Sequence, residues 1–82
     1  ALLEAELDEL RIERLRRWAE AAGTGVRTQR QLQELWELSQ GPVSTTVGEL
    51  VAAGYVTALP RRGLEPIEYV LAGPTRIAFG LV

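Results

Sequence analysis

The chain has 82 residues, a net charge of −2, and neither histidine nor cysteine. That length makes one domain with a small core. The two missing residue types exclude a disulfide framework, a thiolate metal site and histidine-based acid–base or metal chemistry. No secretory leader pattern and no apolar run long enough to span a membrane occurs, so the expected compartment is the cytoplasm.

Residues 1–23, with no proline and no glycine before Gly23, read as one long helix. It has two apolar stripes. Ile12, Leu15, Trp18, Ala19 and Ala22 form the one nearer the rest of the chain and are expected to cover its core. Leu3, Leu7 and Leu10 form the other, rotated around the cylinder, and nothing in the chain is an evident cover for it. A short helical seam with a second copy is the expected use, and a fold-back onto the C-terminal residues is the competing one. The charges, Glu13 and Arg17 four apart among them, suit a solvated face.

Gly23-Thr24-Gly25 is a loop. Thr28 suits an N-cap, and Gln31 stands at the capping-box spacing from it. Leu32, Leu35, Trp36 and Leu38 then make a helical stripe in which Trp36 is expected to be core. Arg27 and Arg30 flank the cap. Free N–H groups and the helix dipole favour a phosphate there; a solvent-facing helix start is the plain alternative.

Ser39 is a second N-cap candidate, and Pro42 falls in the first turn, where its missing N–H costs little. Val43, Thr46, Val47 and Leu50 share one face of the helix that follows, and Gly41, Ser44, Thr45, Gly48 and Ala52 lie opposite. Ala53-Gly54 is its expected end, with the glycine in a left-handed cap. A helix meant only for solvent would carry Lys, Glu or Arg outside. Gly48 costs about 1 kcal/mol against alanine in a helix interior. So bare a face suits close approach to another surface, either a nucleic-acid groove or a cover from the same protein or a partner subunit.

Tyr55–Leu59 and Ile67–Leu71 are strand-like runs on either side of PRRGLEP, a hairpin tip bracketed by Pro60 and Pro66 and holding Arg61 and Arg62. Gly73-Pro74 ends the second run. Residues 75–82 fit a helical turn, a strand or the stump of a longer C-terminal element equally well.

Two short helices joined by a tight turn, then a hairpin, read as a helix-turn-helix with a wing. The pattern Ser39, Val43, Ser44, Val47, Leu50, Gly54, Val56 resembles the recognition helix and first wing strand of bacterial winged helix-turn-helix regulators of the MarR, GntR and ArsR kind. Tyr69-Val70-Leu71-Ala72 resembles their wing exit. The resemblance covers roughly residues 24 to 76. It implies an α+β, mostly helical fold in which the helix over residues 1–23 precedes a compact winged domain over 24–82, with a two-stranded β wing and a one- or two-residue strand at Val26. It further implies double-stranded DNA binding in transcription regulation; the uncovered leucine stripe adds a homodimer, and with no histidine, cysteine or phosphate loop no cofactor or metal is expected. On that reading Gln40, Gly41, Pro42, Ser44, Thr45 and Gly48 enter the major groove. Arg61 and Arg62 of the wing, with Arg27, Thr28 and Arg30, hold the DNA backbone.

One departure from the pattern matters. Many relatives have Arg or Lys where Thr45 stands, and this chain has neither from Gln31 to Leu59. Bidentate reading of guanine from the recognition helix is excluded, leaving hydroxyl and methyl contacts, water, or DNA shape. The slight basic excess falls in residues 24–64, where Arg27, Arg30, Arg61 and Arg62 face Glu34, Glu37 and Glu49. So few cations imply weak binding per subunit and favour a dimer. Two alternatives stand beside this reading. One is a winged module of a larger translocase, replication or partition protein. The other is a protein–protein interaction module, which the acidic balance favours. No Gly-rich phosphate loop, zinc spacing or Ser-His-Asp set is present, so no enzymatic activity is expected.

Overall fold

The computed structural model describes residues 9–81. Its elements follow in the order α1 (Glu9–Ala22), β1 (Arg27–Thr28), α2 (Gln29–Trp36), α3 (Gln40–Ala53), β2 (Val56–Ala58), β3 (Glu68–Leu71) and α4 (Gly73–Ala78). The chain is mostly helical, with a small antiparallel sheet in the order β1-β3-β2.

Local chemistry sets most of the boundaries. Thr28 takes an extended conformation, and its hydroxyl accepts the Gln31 N–H at 3.3 Å. In return the Gln31 side-chain oxygen accepts the Thr28 N–H at 2.9 Å, closing the capping box. α2 stops at Glu37, a non-glycine residue in the left-handed region at φ 55°, and Leu38 N–H donates back to Gln33 O at 3.0 Å. Ser39 stands at the N-cap of α3, but its side chain makes no capping bond. The third helical position, whose N–H a cap hydroxyl commonly takes, is Pro42, which has none. α3 ends at Gly54 with φ 87°, and Tyr55 N–H donates to Leu50 O at 2.9 Å.

The core joins Leu15, Trp18 and Ala19 of α1, Leu32 and Trp36 of α2, and Val43, Val47 and Leu50 of α3 to Tyr55, Val56, Tyr69 and Leu71. Trp36 is buried, as its stripe required, and fastens α1 to α2 in three ways. Its ring meets Trp18 edge-on, centroids 6.1 Å apart. Its Nε1–H donates to Arg14 O at 3.0 Å. The Arg14 guanidinium lies 5.8 Å from its ring centroid. Arg11 forms an ion pair with Glu49, adding a tie from α1 to α3.

In the sheet Val56 faces Leu71, Ala58 faces Tyr69, and Tyr69 in turn faces Arg27 on its other side. The wing strands are shorter than the apolar runs that predict them. Tyr55 is taken up by the α3 cap, and beyond Ala58 the pairing continues by one bond, Leu59 N–H to Glu68 O at 2.8 Å. The short first strand falls at Arg27–Thr28, one residue after Val26, and makes the sheet three-stranded.

After β3 the chain forms α4, with Pro74 in its first turn. Of the conformations open for this segment, the helix is adopted as far as Ala78. Thr75 is buried there, and its hydroxyl donates to Tyr55 O at 2.7 Å. Of the three leucines expected at a dimer seam, Leu3 and Leu7 lie outside the described residues, and Leu10 is 58% exposed.

Candidate nucleic-acid interface

α3 presents the faces that its periodicity requires. Val43, Val47 and Leu50 are buried, while Gln40, Gly41, Pro42, Ser44, Thr45, Gly48 and Ala52 are exposed. A Cβ built at Gly41 or at Gly48 would meet nothing within 4 Å. No internal packing among the described residues therefore calls for glycine there, and the helix cost of Gly48 has no offset inside the fold.

Two shallow recesses run along this side of the molecule. The first, of about 410 Å³, lies between α3 and the sheet and is lined by Ser44, Gly48 and Ala52 of α3 together with Gln29, Ala58 and Tyr69. The second, of about 260 Å³, is lined by Thr28, Gln29 and Arg30 at the start of α2 and by Arg61, Pro66, Ile67 and Tyr69 of the wing. Gln29 and Tyr69 belong to both. The Gln29 side-chain amide donates to the Tyr69 hydroxyl at 3.1 Å, bridging the start of α2 to the central strand. That phenol still has a hydrogen to donate. The second recess is therefore lined by two arginines, a tyrosine and the first turn of α2, where the helix dipole is positive.

The arginines singled out by sequence separate into distinct settings. Arg30 and Arg61 come together in the second recess. Arg61 is also tied to its own wing, its Nε–H donating to Glu65 O at 3.0 Å. Arg62 is exposed at the tip, lines neither recess, and offers its carbonyl to Glu65 N–H at 3.2 Å. Arg27 turns the other way. Its guanidinium donates to Val26 O at 3.0 Å and to Ala21 O at 3.4 Å, next to the C-terminal end of α1, where a cation is favoured. Thr28 is engaged in the capping box, and Gln40, Gly41, Pro42 and Thr45 sit open on α3 outside both recesses.

Sequence reasoning missed Gln29 and Tyr69. Gln29 adjoins the cap, which is a signal of a kind. Tyr69 reads in sequence as a strand residue at the start of the wing-exit resemblance, with no signal that it lines this surface. Among the described residues no group of three or more His, Cys, Asp or Glu side chains is placed to hold a metal ion, and no helix is long and apolar enough to cross a membrane.

A helix-turn-helix pair backed by α1, with a β hairpin beside its second helix, is the winged-helix fold. No family model matches this sequence, and no curated protein matches it. Among solved structures it is similar to reduced HlyU from Vibrio cholerae N16961, with a TM-score of 0.71 and 23% sequence identity. The match covers 98% of this chain and 79% of that one, so the likeness in fold extends over almost the whole chain.

Proposed function

We propose that this domain binds double-stranded DNA without catalysing a reaction, as the DNA-reading part of a transcription regulator. The Gln40–Gly48 face of α3 enters the major groove, and the wing lies alongside. One observation carries this reading. The uncharged, sterically open face of α3 adjoins a recess in which Arg30 and Arg61 flank the start of α2. A duplex offers the matching surface, a groove about 12 Å wide bordered by phosphates. Small side chains let the helix sit deep, and the arginine recess meets a phosphate at the groove's edge. Ser44 and Thr45 supply hydroxyls and a methyl to base edges, and the Gln40 amide suits adenine. Arg62 extends the contact along the backbone from the wing tip. With so few cations per subunit, the working unit is a homodimer, and exposed Leu10 belongs to its seam.

Binding to a random-sequence duplex, followed by fluorescence anisotropy across a salt series, tests this. Affinity should fall linearly on a log–log plot, and Arg30→Ala and Arg61→Ala should each lower the slope by about 0.9. Arg27→Ala should leave the slope unchanged and lower only the melting temperature. If the intact chain fails to bind at low salt, the interaction-module reading replaces this one; the net charge of −2 and the absence of Arg or Lys from α3 already lean toward it.

A further inference from the structure

The wing tip presents an apolar side chain that the fold itself does not use. Leu64 is 94% exposed, against 38% for Ile67 further down the same wing. The tip around it is tied together. Gly63 takes the left-handed conformation at φ 59°. Glu65 N–H donates to Arg62 O at 3.2 Å, and Arg61 Nε–H donates to Glu65 O at 3.0 Å. At the base, Leu59 N–H closes on Glu68 O at 2.8 Å. Pro60 and Pro66 stiffen both arms. Leucine is thus held outward on a braced turn, with Arg61 and Arg62 preceding it and Glu65 the single acid of the tip. A tip meant only for water takes Gly, Asn, Asp or Ser at such a place.

We infer that Leu64 is a wedge that enters the minor groove of duplex DNA and partly unstacks one base step, while Arg61 and Arg62 hold the phosphates beside it. This rests on the DNA-binding reading and deepens it by naming what the wing reads. The minor groove is about 6 Å wide and lined by phosphates, so it suits a narrow apolar tip preceded by two cations. Inserted leucine side chains kink a duplex, and the cost of unstacking is lowest at pyrimidine–purine steps. α3 has no side chain for bidentate guanine reading. A wedge adds selectivity to what the uncharged side chains of α3 can read, because DNA that deforms easily is bound more tightly.

The test uses the full chain and short duplexes that differ only in the central step, TA, CA or AA, with a donor and an acceptor dye at their ends. The intact chain should bind the TA duplex roughly tenfold more tightly than the AA duplex and shorten the distance between its ends. Leu64→Ala should abolish both the preference and the shortening while keeping the salt slope, because no cation is lost. Leu64→Ile should retain both. The side chain is almost wholly exposed, so neither substitution disturbs the core. Equal preference and equal bending in the Leu64→Ala protein would overturn the wedge. Salt-dependent binding without any step preference in the intact chain would overturn the wedge alone, whereas no binding to any duplex would remove the DNA reading as well.

Discussion

Replacing Gly48 should make this domain more stable when the new residue is alanine, and a poorer DNA binder when the new side chain is long. The stability part follows from the helix. Glycine in a helix interior costs about 0.8–1.0 kcal/mol relative to alanine. The added Cβ at Gly48 would meet nothing within 4 Å, so no clash subtracts from the gain. For a domain of this size, 1 kcal/mol raises the melting temperature by about 4–8 °C. The binding part follows from position, since Gly48 lines the recess between α3 and the sheet. The alanine methyl intrudes only slightly there. Gly48→Gln keeps good helix propensity but projects a long side chain, and should weaken duplex binding by roughly tenfold or more, the equivalent of one lost good contact. Circular dichroism melts and anisotropy titrations on the three proteins measure both quantities. A lower melting temperature for Gly48→Ala would show that the space beside α3 is not open. Unchanged DNA affinity for Gly48→Gln would show that the outer face of α3 is not the contact surface, and the proposed function would go with it.

Two further substitutions test the scaffold. Glu37 holds a left-handed conformation at φ 55° that costs an L-residue about 1–2 kcal/mol. Glu37→Gly removes that cost but adds freedom to the unfolded chain, so a net gain of about 0.5–1 kcal/mol should appear as a higher urea midpoint at constant slope. A lower midpoint would contradict the assigned strain. Thr75→Val keeps the shape of a buried side chain and deletes its hydroxyl bond to Tyr55 O. That carbonyl keeps the Ala72 N–H at 3.1 Å, so no acceptor is stranded and the loss should be about 1 kcal/mol, with DNA affinity unchanged. Unaltered stability would mean that the hydroxyl does not anchor α4.

What could be read in advance was local. The capping box of Thr28 and Gln31, the inner face of α3 and the left-handed Gly54 each depend on residues within a turn or two of one another. The candidate site was legible only in part, for a geometric reason. Arg27 and Arg30 look equivalent in sequence, one on each side of Thr28. They straddle a strand-to-helix junction, however, and a helical wheel cannot be carried across it. One side chain turns back to α1 and the other faces the wing. The Gln29–Tyr69 bond joins positions 40 residues apart, beyond the reach of any periodicity. The segment after Gly73 was ambiguous because it is short and apolar; what anchors its helix is a hydroxyl bond to Tyr55, which is a tertiary contact. Ser39 fits a cap by residue type, yet its neighbour Pro42 removes a donor it could have held.

A chain of net charge −2 can still offer a cationic surface, because of where its ion pairs fall. On α1, Glu13 pairs with Arg16 at 2.7 Å and with Arg17 at 3.8 Å, and Arg11 engages Glu49 across to α3. These acids are matched by arginines of the same region, so their field is largely local and screened at ordinary salt. Arg30, Arg61 and Arg62 form no ion pair among the described residues. A phosphate approaching them displaces no carboxylate. Sign at the contact, rather than net charge, governs approach. The same arithmetic limits what one subunit can do. With three such cations the salt slope per subunit stays near 3 at most, on the scale of about 0.9 per phosphate. A second subunit doubles it, which is the electrostatic reason to expect a two-fold assembly on a two-fold DNA site.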